Sequence, residues 1–201
     1  SSGLVAANVL AGNVFQPNEL LEMAATIEGH PDNVAAAILG NLQLVISDGQ
    51  KLYPVSIQPP PDLQLVIFIP ELRIATEDAR RVLPSSISIS DSVYNASRVG
   101  LLIAGMLTDH TEYFQYAVQD RLHQPYREPL FPAMKVIFQA ARDAGALGVF
   151  LSGSGSTIMA ITKGREMTVA YEMGEAARQT GIVGELRITK PAYEGTAVPD
   201  I

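Results

Sequence analysis

The spacing of apolar and polar residues divides the chain into short, well-punctuated elements. Leu4 to Leu10 reads as a helix that stops near Gly12. Pro17 and Glu19 suit the first turn of a second helix, whose apolar stripe Leu20, Met23, Ala24 and Ile27 recurs at helical spacing. Glu22 falls off that stripe and reads as a solvated residue. Val34 to Leu39 predicts a third helix. Leu42 to Ser47 and Tyr53 to Ile57 read as strands joined through Asp48-Gly49, a strong hairpin turn. Pro59-Pro60-Pro61 forms a stiff connector and marks the best boundary.

Beyond the connector, Leu63 to Ile69 is a dense apolar strand. Thr76 to Leu83 predicts a helix with Thr76 as N-cap and acidic residues in its first turn, ended by Pro84. Asp91 to Leu107 is a long helix, and Glu112 to Val118 a shorter one. Asp120 to Arg127 is polar and basic. Pro132 to Ala144 is helical and stops at Gly145. Leu147 to Leu151 and Thr157 to Thr162 are strands joined by Ser152-Gly153-Ser154-Gly155-Ser156. Glu166 to Thr180 is a helix closed by Gly181, and Gly184 to Thr189 a last strand. This order predicts an α+β sandwich, an antiparallel sheet with helices on one face.

Composition narrows the class. With 201 residues the chain can bury a core, and 47% hydrophobic residues make it globular. No apolar run approaches the roughly 20 residues of a membrane span, so no membrane role is expected. Cysteine is absent, which excludes disulfides and thiolate metal sites and points to the cytoplasm. The net charge is −7 without a basic stripe, so nucleic acid is not an expected partner. Any phosphate must be held locally, by backbone N–H groups, a metal and a few arginines.

Three features could supply such chemistry. Glu28-Gly29-His30-Pro31-Asp32-Asn33 places an imidazole, a carboxylate and a carboxamide at the mouth of the third helix, where free N–H groups favour polar ligands. Singly, each of these residues reads first as a helix cap; the three together read as readily as a ligand site. The Ser152–Ser156 loop has two glycines, which let successive N–H groups turn toward an anion; it also reads as a plain hairpin loop. No Gly-Lys-Ser/Thr follows it, and strands flank both sides, so it is neither a Walker A loop nor a Rossmann fingerprint. Arg80 and Arg127 are suited to clamp a carboxylate or a phosphoryl group with two parallel hydrogen bonds, or else are surface ion-pair residues. His30, His110 and His123 lack metal-ligand spacing. Gly153-Ser154-Gly155 is no nucleophile elbow, because no helix follows it.

Together these segments resemble the GHMP small-molecule kinases. The resemblance is carried by Glu28–Asn33, Thr76–Pro84, Asp120–Arg127 and Gly148–Thr157, and it spans residue 4 to the end. The Ser-Gly-Ser-Gly-Ser loop is shared across the superfamily, and the segments His30–Asn33 and Asp120–Arg127 point to its homoserine branch. The resemblance implies a GHMP-kinase-like α+β fold. Residues 1–58 would be the helical remainder of the N-terminal ATP and substrate domain. Residues 59–201 would be a ferredoxin-like α/β sandwich, the C-terminal domain. It implies transfer of the ATP γ-phosphoryl group to the hydroxyl of L-homoserine, a step of threonine biosynthesis. His30, Asp32 and Asn33 would line the substrate pocket. Arg80 and Arg127 would bind the carboxylate or the phosphoryl group. Glu22 would hold Mg²⁺. Ser1, Ser2, Gly153, Ser154, Gly155 and Ser156 would lie beside the nucleotide phosphates. Asp32 is the candidate general base, with substrate binding the better-supported role. A homodimer is compatible with the acidic charge and apolar strands.

The chain departs from the pattern at its start. Family members carry an earlier Gly-Leu-Gly-Ser-Ser phosphate loop after an N-terminal domain, of which Ser1-Ser2 alone would correspond. Either a stretch is missing after Ser2 or Ser1-Ser2-Gly3 is not native sequence. The expectation is a chain that lacks its N-terminal part and has negligible kinase activity alone. Two alternatives remain open. One is a GHMP kinase for mevalonate, a sugar or an isoprenoid alcohol. The other is a non-catalytic ferredoxin-like ligand-binding domain.

Overall fold

The computed structural model describes residues 1–49 and 51–197. Its contacts divide the chain into two compact units, Ser1–Pro59 together with the tail from Pro191, and Pro60–Lys190. The break falls in the proline connector. The tail differs from the expected 59–201 domain, because the chain returns to the first unit at Pro191. Residues 198–201 of that expected domain lie outside the described residues.

In the first unit, helices α1 (Ser2–Leu10), α2 (Pro17–Glu28) and α3 (Asp32–Leu39) precede the hairpin β1 (Leu42–Ser47) and β2 (Leu52–Ile57). The strands pair antiparallel, with Leu42 opposite Ile57 and Ser47 opposite Leu52. A reciprocal cap starts α2, where the Gln16 N–H donates to the Glu19 carboxylate at 2.8 Å and Pro17 takes the first helical position. Gly29, with φ of 88°, ends the helix in the left-handed conformation. The core is Leu20, Leu21 and Ala24 of α2 against Val34, Ala35 and Ile38 of α3. Ile27 of the expected stripe is 76% exposed, and Leu21 takes its place inside. The tail crosses the end of α3. Asn41 N–H donates to the Ala192 carbonyl, and Thr196 donates to Ala37 through both N–H and Oγ1, each at 2.8 Å.

The second unit holds a four-stranded antiparallel sheet in the order β4-β5-β3-β6. Its strands are β3 (Gln64–Pro70), β4 (Gly148–Leu151), β5 (Ile158–Thr162) and β6 (Gly184–Thr189). Alternation along β3 sends Val66 and Phe68 to one face. There they meet α8 (Met134–Asp143) and α9 (Glu166–Gln179) through Ile137, Phe138, Val169 and Met173. The opposite face is covered too, against the expectation of helices on one side. Leu65, Phe150 and Ile161 pack beneath Leu102 and Met106 of α5 (Ile89–Thr108) and Phe114 of α6 (Phe114–Ala117). The dense apolar reading of β3 follows from burial on both faces.

Two boundaries differ from the sequence reading. Helix α4 spans Thr76–Arg81, so Thr76 is its first residue and Ala75 the cap, with no side-chain cap bond. The basic segment Asp120–Arg127 contains a short helix, α7 (Gln124–Arg127), which the polarity had hidden.

Candidate active site

In the first unit, Pro31 is the N-cap of α3 and Asp32 its first residue. One Asp32 oxygen, Oδ1, accepts from the Asn33 N–H at 2.7 Å and meets His30 Nδ1 at 2.6 Å. Asp32 is therefore both a helix starter and the group that orients the imidazole. With Nδ1 donating to the carboxylate, Nε2 of His30 is left as a free polar edge. The second Asp32 oxygen and the Asn33 carboxamide have no protein partner among the described residues, and both residues are exposed. The cap and ligand readings of this turn thus use different atoms. Glu22 is half-buried on α2, and its carboxylate has no partner among the described residues. Its placement off the solvated face corrects the spacing argument. Among the described residues no three acidic or histidine side chains cluster as a metal site. Ser1 caps α1 through its carbonyl, and Ser2 is the first helical residue, running without interruption into Leu4. Both serines are exposed.

In the second unit, Arg127 is the central group. Its Nε donates to the Ala79 carbonyl of α4 at 3.2 Å, and Nη1 donates to the Gly153 carbonyl at 2.7 Å. Nη1 also faces His123 Nδ1 at 3.2 Å. One side chain thereby joins α4, α7 and the glycine loop. Among the described residues only Nη2 is left without a protein acceptor, so a two-pronged Arg127 clamp is not available in this arrangement. Arg80 is exposed, has no ion-pair partner among the described residues, and lies close enough to act on Arg127. Burial pushes the Arg127 guanidinium below its usual value; the Asp120 carboxylate opposes that, and the Arg80 charge adds to it. Two neighbouring cations with one buried counter-charge form a local positive site in an acidic chain.

Asp120 builds the platform beneath Arg127. Its buried carboxylate accepts from Asn95 Nδ2 at 2.6 Å and from the N–H groups of Leu122, His123 and Gln124 at 2.9, 2.8 and 2.5 Å. Gln124 Oε1 then accepts from the Leu151 N–H at 2.8 Å, tying the segment to β4. Asn95 and Asp120 were not among the expected site residues. The run Asp120 to Gln124 before Pro125 is a helix-start signal that would have revealed the latter.

The Ser152–Ser156 loop is closed by Ser152 N–H to Thr157 O at 2.8 Å and Gly155 N–H to Ser152 O at 3.0 Å. Ser156 is buried, and its hydroxyl donates to the Leu72 carbonyl. Gly155 has φ of 88°, and a Cβ there would lie 2.9 Å from the Leu151 side chain. The N–H groups of Gly153, Ser154 and Ser156 have no acceptor among the described residues. That arrangement can hold anion oxygens. Gly155, Ser156 and Thr157 also border an open cleft of about 1290 Å³, with Arg73, Thr76, Asp78 and Glu185 along its walls.

Acid should loosen this platform. Burial raises the Asp120 carboxyl pKa, but Asn95 and the three N–H donors outweigh it and leave the group below its ordinary 3.8. His123 is held below 6.5 by burial; the Asp120 carboxylate opposes this, and the Arg127 charge adds to it. Both folded-state values are depressed. Each contribution is therefore whole above the unfolded pKa and is lost as pH falls through the folded one. Urea titrations should show stability declining from about pH 6.5 downward, then more steeply below about 3.8. A His123→Gln variant should lack the upper decline. A flat profile between pH 7 and 5 in the parent chain would contradict this account.

Residues 103–179 match the family GHMP kinases C terminal. Together with the fold and the glycine loop, this defines the class: the chain contains a GHMP kinase C-terminal domain. Within that class it is similar to homoserine kinases. It is 40% identical to the homoserine kinase of Moorella thermoacetica over 97% of this chain and 66% of the relative. It is 39% identical to that of a Synechococcus species over 98% of this chain and 65% of the relative. The crystal structure of homoserine kinase from Cytophaga hutchinsonii superimposes with a TM-score of 0.91 at 32% identity, covering 96% of this chain and 64% of that one. The crystal structure of L. major mevalonate kinase shares the fold, with a TM-score of 0.66 at 17% identity over 92% of this chain and 62% of that one. The chain thus spans about 65 to 66% of the length of these curated homoserine kinases. Among the described residues, no helix is long and apolar enough to cross a membrane.

Proposed function

We propose that this chain supplies the substrate-positioning and phosphoryl-stabilising parts of an ATP-dependent homoserine kinase. The observation that carries the reading is Arg127, bonded to the Gly153 carbonyl and set beside Arg80. It puts net positive charge next to a loop whose Gly153, Ser154 and Ser156 N–H groups have no acceptor among the described residues. Phosphoryl transfer needs little covalent help; position and charge stabilisation do most of it. In the reaction the homoserine hydroxyl oxygen bonds to the γ-phosphorus and the bond to the β,γ-bridging oxygen breaks. His30, Asp32 and Asn33 hold the amino acid in the first unit. The free Asp32 oxygen takes the hydroxyl proton, or that proton passes directly to the transferred group. Arg80 and the Nη2 edge of Arg127 face substrate carboxylate or phosphoryl oxygens. Gly153 to Ser156 lie by the nucleotide phosphates, as do Ser1 and Ser2 at the start of α1, where a helix N-terminus favours anions.

Mg²⁺ fits this arrangement through Glu22, the half-buried carboxylate without a protein partner among the described residues. Magnesium is commonly held by one or two carboxylates plus phosphate oxygens, and it would neutralise charge on the phosphates. Residues 1–59 then belong to the ATP and substrate domain, and 60–190 to the C-terminal domain.

The test is substrate profiling of a polypeptide of the relatives' length that carries this chain. ATP-dependent phosphorylation of L-homoserine should exceed that of mevalonate and galactose by at least about a hundredfold in kcat/KM. The 201-residue chain alone should show negligible turnover. A preference for mevalonate or galactose would replace the substrate. Failure to bind any nucleotide would leave a non-catalytic ligand-binding domain.

A further inference from the structure

Helix α5 gives the sheet apolar cover through Leu102 and Met106, yet it carries the half-buried Asn95 in its interior. Asparagine is a weak helix former, so α5 itself gives no reason for it. The reason lies in another segment. Asn95 Nδ2 donates to Asp120 Oδ1 at 2.6 Å, and Asn95 Oδ1 accepts from the Arg121 N–H at 3.0 Å. One carboxamide thus grips two consecutive residues. Two α5 neighbours reach the same turn: Tyr94 Oη donates to Gln119 Oε1 at 2.6 Å, and Asp91 meets the Arg121 guanidinium at 3.3 Å. Both of these contacts are exposed, where a hydrogen bond or ion pair contributes little. The Asp120 side chain is only 6% exposed, so its bonds are the strong ones.

The other donors to Asp120 are the N–H groups of Leu122, His123 and Gln124, all in its own turn. They shape the turn but do not tie it to anything else. His123 is the cap of α7 and Gln124 its first residue, so Asp120 sets the direction in which that helix starts. Arg127 ends α7 about one turn on, and from there reaches the Ala79 and Gly153 carbonyls. Without Asn95, the turn and α7 could tilt together against α5 while keeping all their internal bonds. We propose that Asn95 is a positioning residue: through Asp120 it fixes the tilt of α7, and so the direction in which Arg127 presents its Nη2 edge. Its consequence for phosphoryl transfer rests on the role proposed for Arg127.

In a polypeptide of the relatives' length, Asn95→Ala should lower kcat about tenfold, with KM for homoserine and for ATP within about threefold of the parent. Asn95→Asp keeps the size and the acceptor for Arg121 but sets a carboxylate against Asp120, and it should lose as much. Adding Asn95→Ala to Arg127→Ala should change kcat by less than about twofold, because residues that act as a unit are not additive. The Arg127 Nε–H NMR signal should broaden or move to the position of a free guanidinium in both Asn95 variants, with the circular-dichroism spectrum unchanged. An Arg127 signal that stays in place, an Asn95→Asp enzyme as active as the parent, or an Asn95→Ala loss that is the same with and without Arg127 would overturn the proposal. If Arg127→Ala keeps full kcat while the Arg127 signal still moves in the Asn95 variants, the positioning stands and the kinase role of Arg127 falls.

Discussion

Arg127→Ala, in a polypeptide of the relatives' length, is expected to lower kcat/KM for homoserine by at least about a hundredfold. Arg127→Lys should recover little of it. The reason lies in the division of the guanidinium. Nε holds the Ala79 carbonyl, Nη1 holds the Gly153 carbonyl, and Nη2 stays free. A lysine ammonium cannot span two carbonyls on different elements and still present a charge outward. Alanine leaves both carbonyls and the loop unheld, so the loss should appear in kcat more than in KM. Steady-state kinetics with homoserine and ATP varied in turn would check this. A variant within a few-fold of the parent in kcat would reduce Arg127 to a surface ion-pair residue.

The second large effect concerns stability. Gly40→Ala should cost on the order of 3 kcal/mol. Gly40 has φ of 71° and ψ of −168°, a region closed to residues with a Cβ. A Cβ there would also stand 2.5 Å from the Glu194 carbonyl carbon and 2.7 Å from the Gly195 nitrogen. Backbone cannot step aside as a side-chain tip can. The tail must detach, and with it go the bonds from Asn41 to Ala192 and from Thr196 to Ala37. Denaturant unfolding followed by circular dichroism would measure the loss. A chain ended at Lys190 should resemble the variant, because it lacks the same strap. A Gly40→Ala protein as stable as its parent would show that the strap contributes nothing.

Much of this architecture was legible because the local signals agree with the burial. The Asp48-Gly49 turn, the triple proline and the Gly-capped helices all stand where the sequence puts them. The missed features are tertiary. Ile27 keeps the helical period yet faces water, because α3 meets α2 on a line through Leu21. The tail's return to the first unit has no local signature, since loop residues such as Gly195 reveal their role only through what lies beside them. The candidate site shows the same split. His30, Asp32 and Arg127 stand out by type and place. Asn95 does not, because its partner Asp120 is 25 residues away. Nor could spacing tell that the Arg127 prongs are spent on carbonyls, which leaves one edge where two had been expected.

The strap also bears on the order in which a growing chain can close. Residues 1–59 of the first unit precede the second unit in the chain, but the last piece of that first unit follows Lys190. A nascent polypeptide therefore emerges with α1 to β2 already made and their Gly40 groove empty. The sheet and helices of 60–190 are complete in sequence before the strap arrives. Domains usually finish in the order of synthesis. Here residues 1–59 must wait, and residues 60–190 can settle before they do.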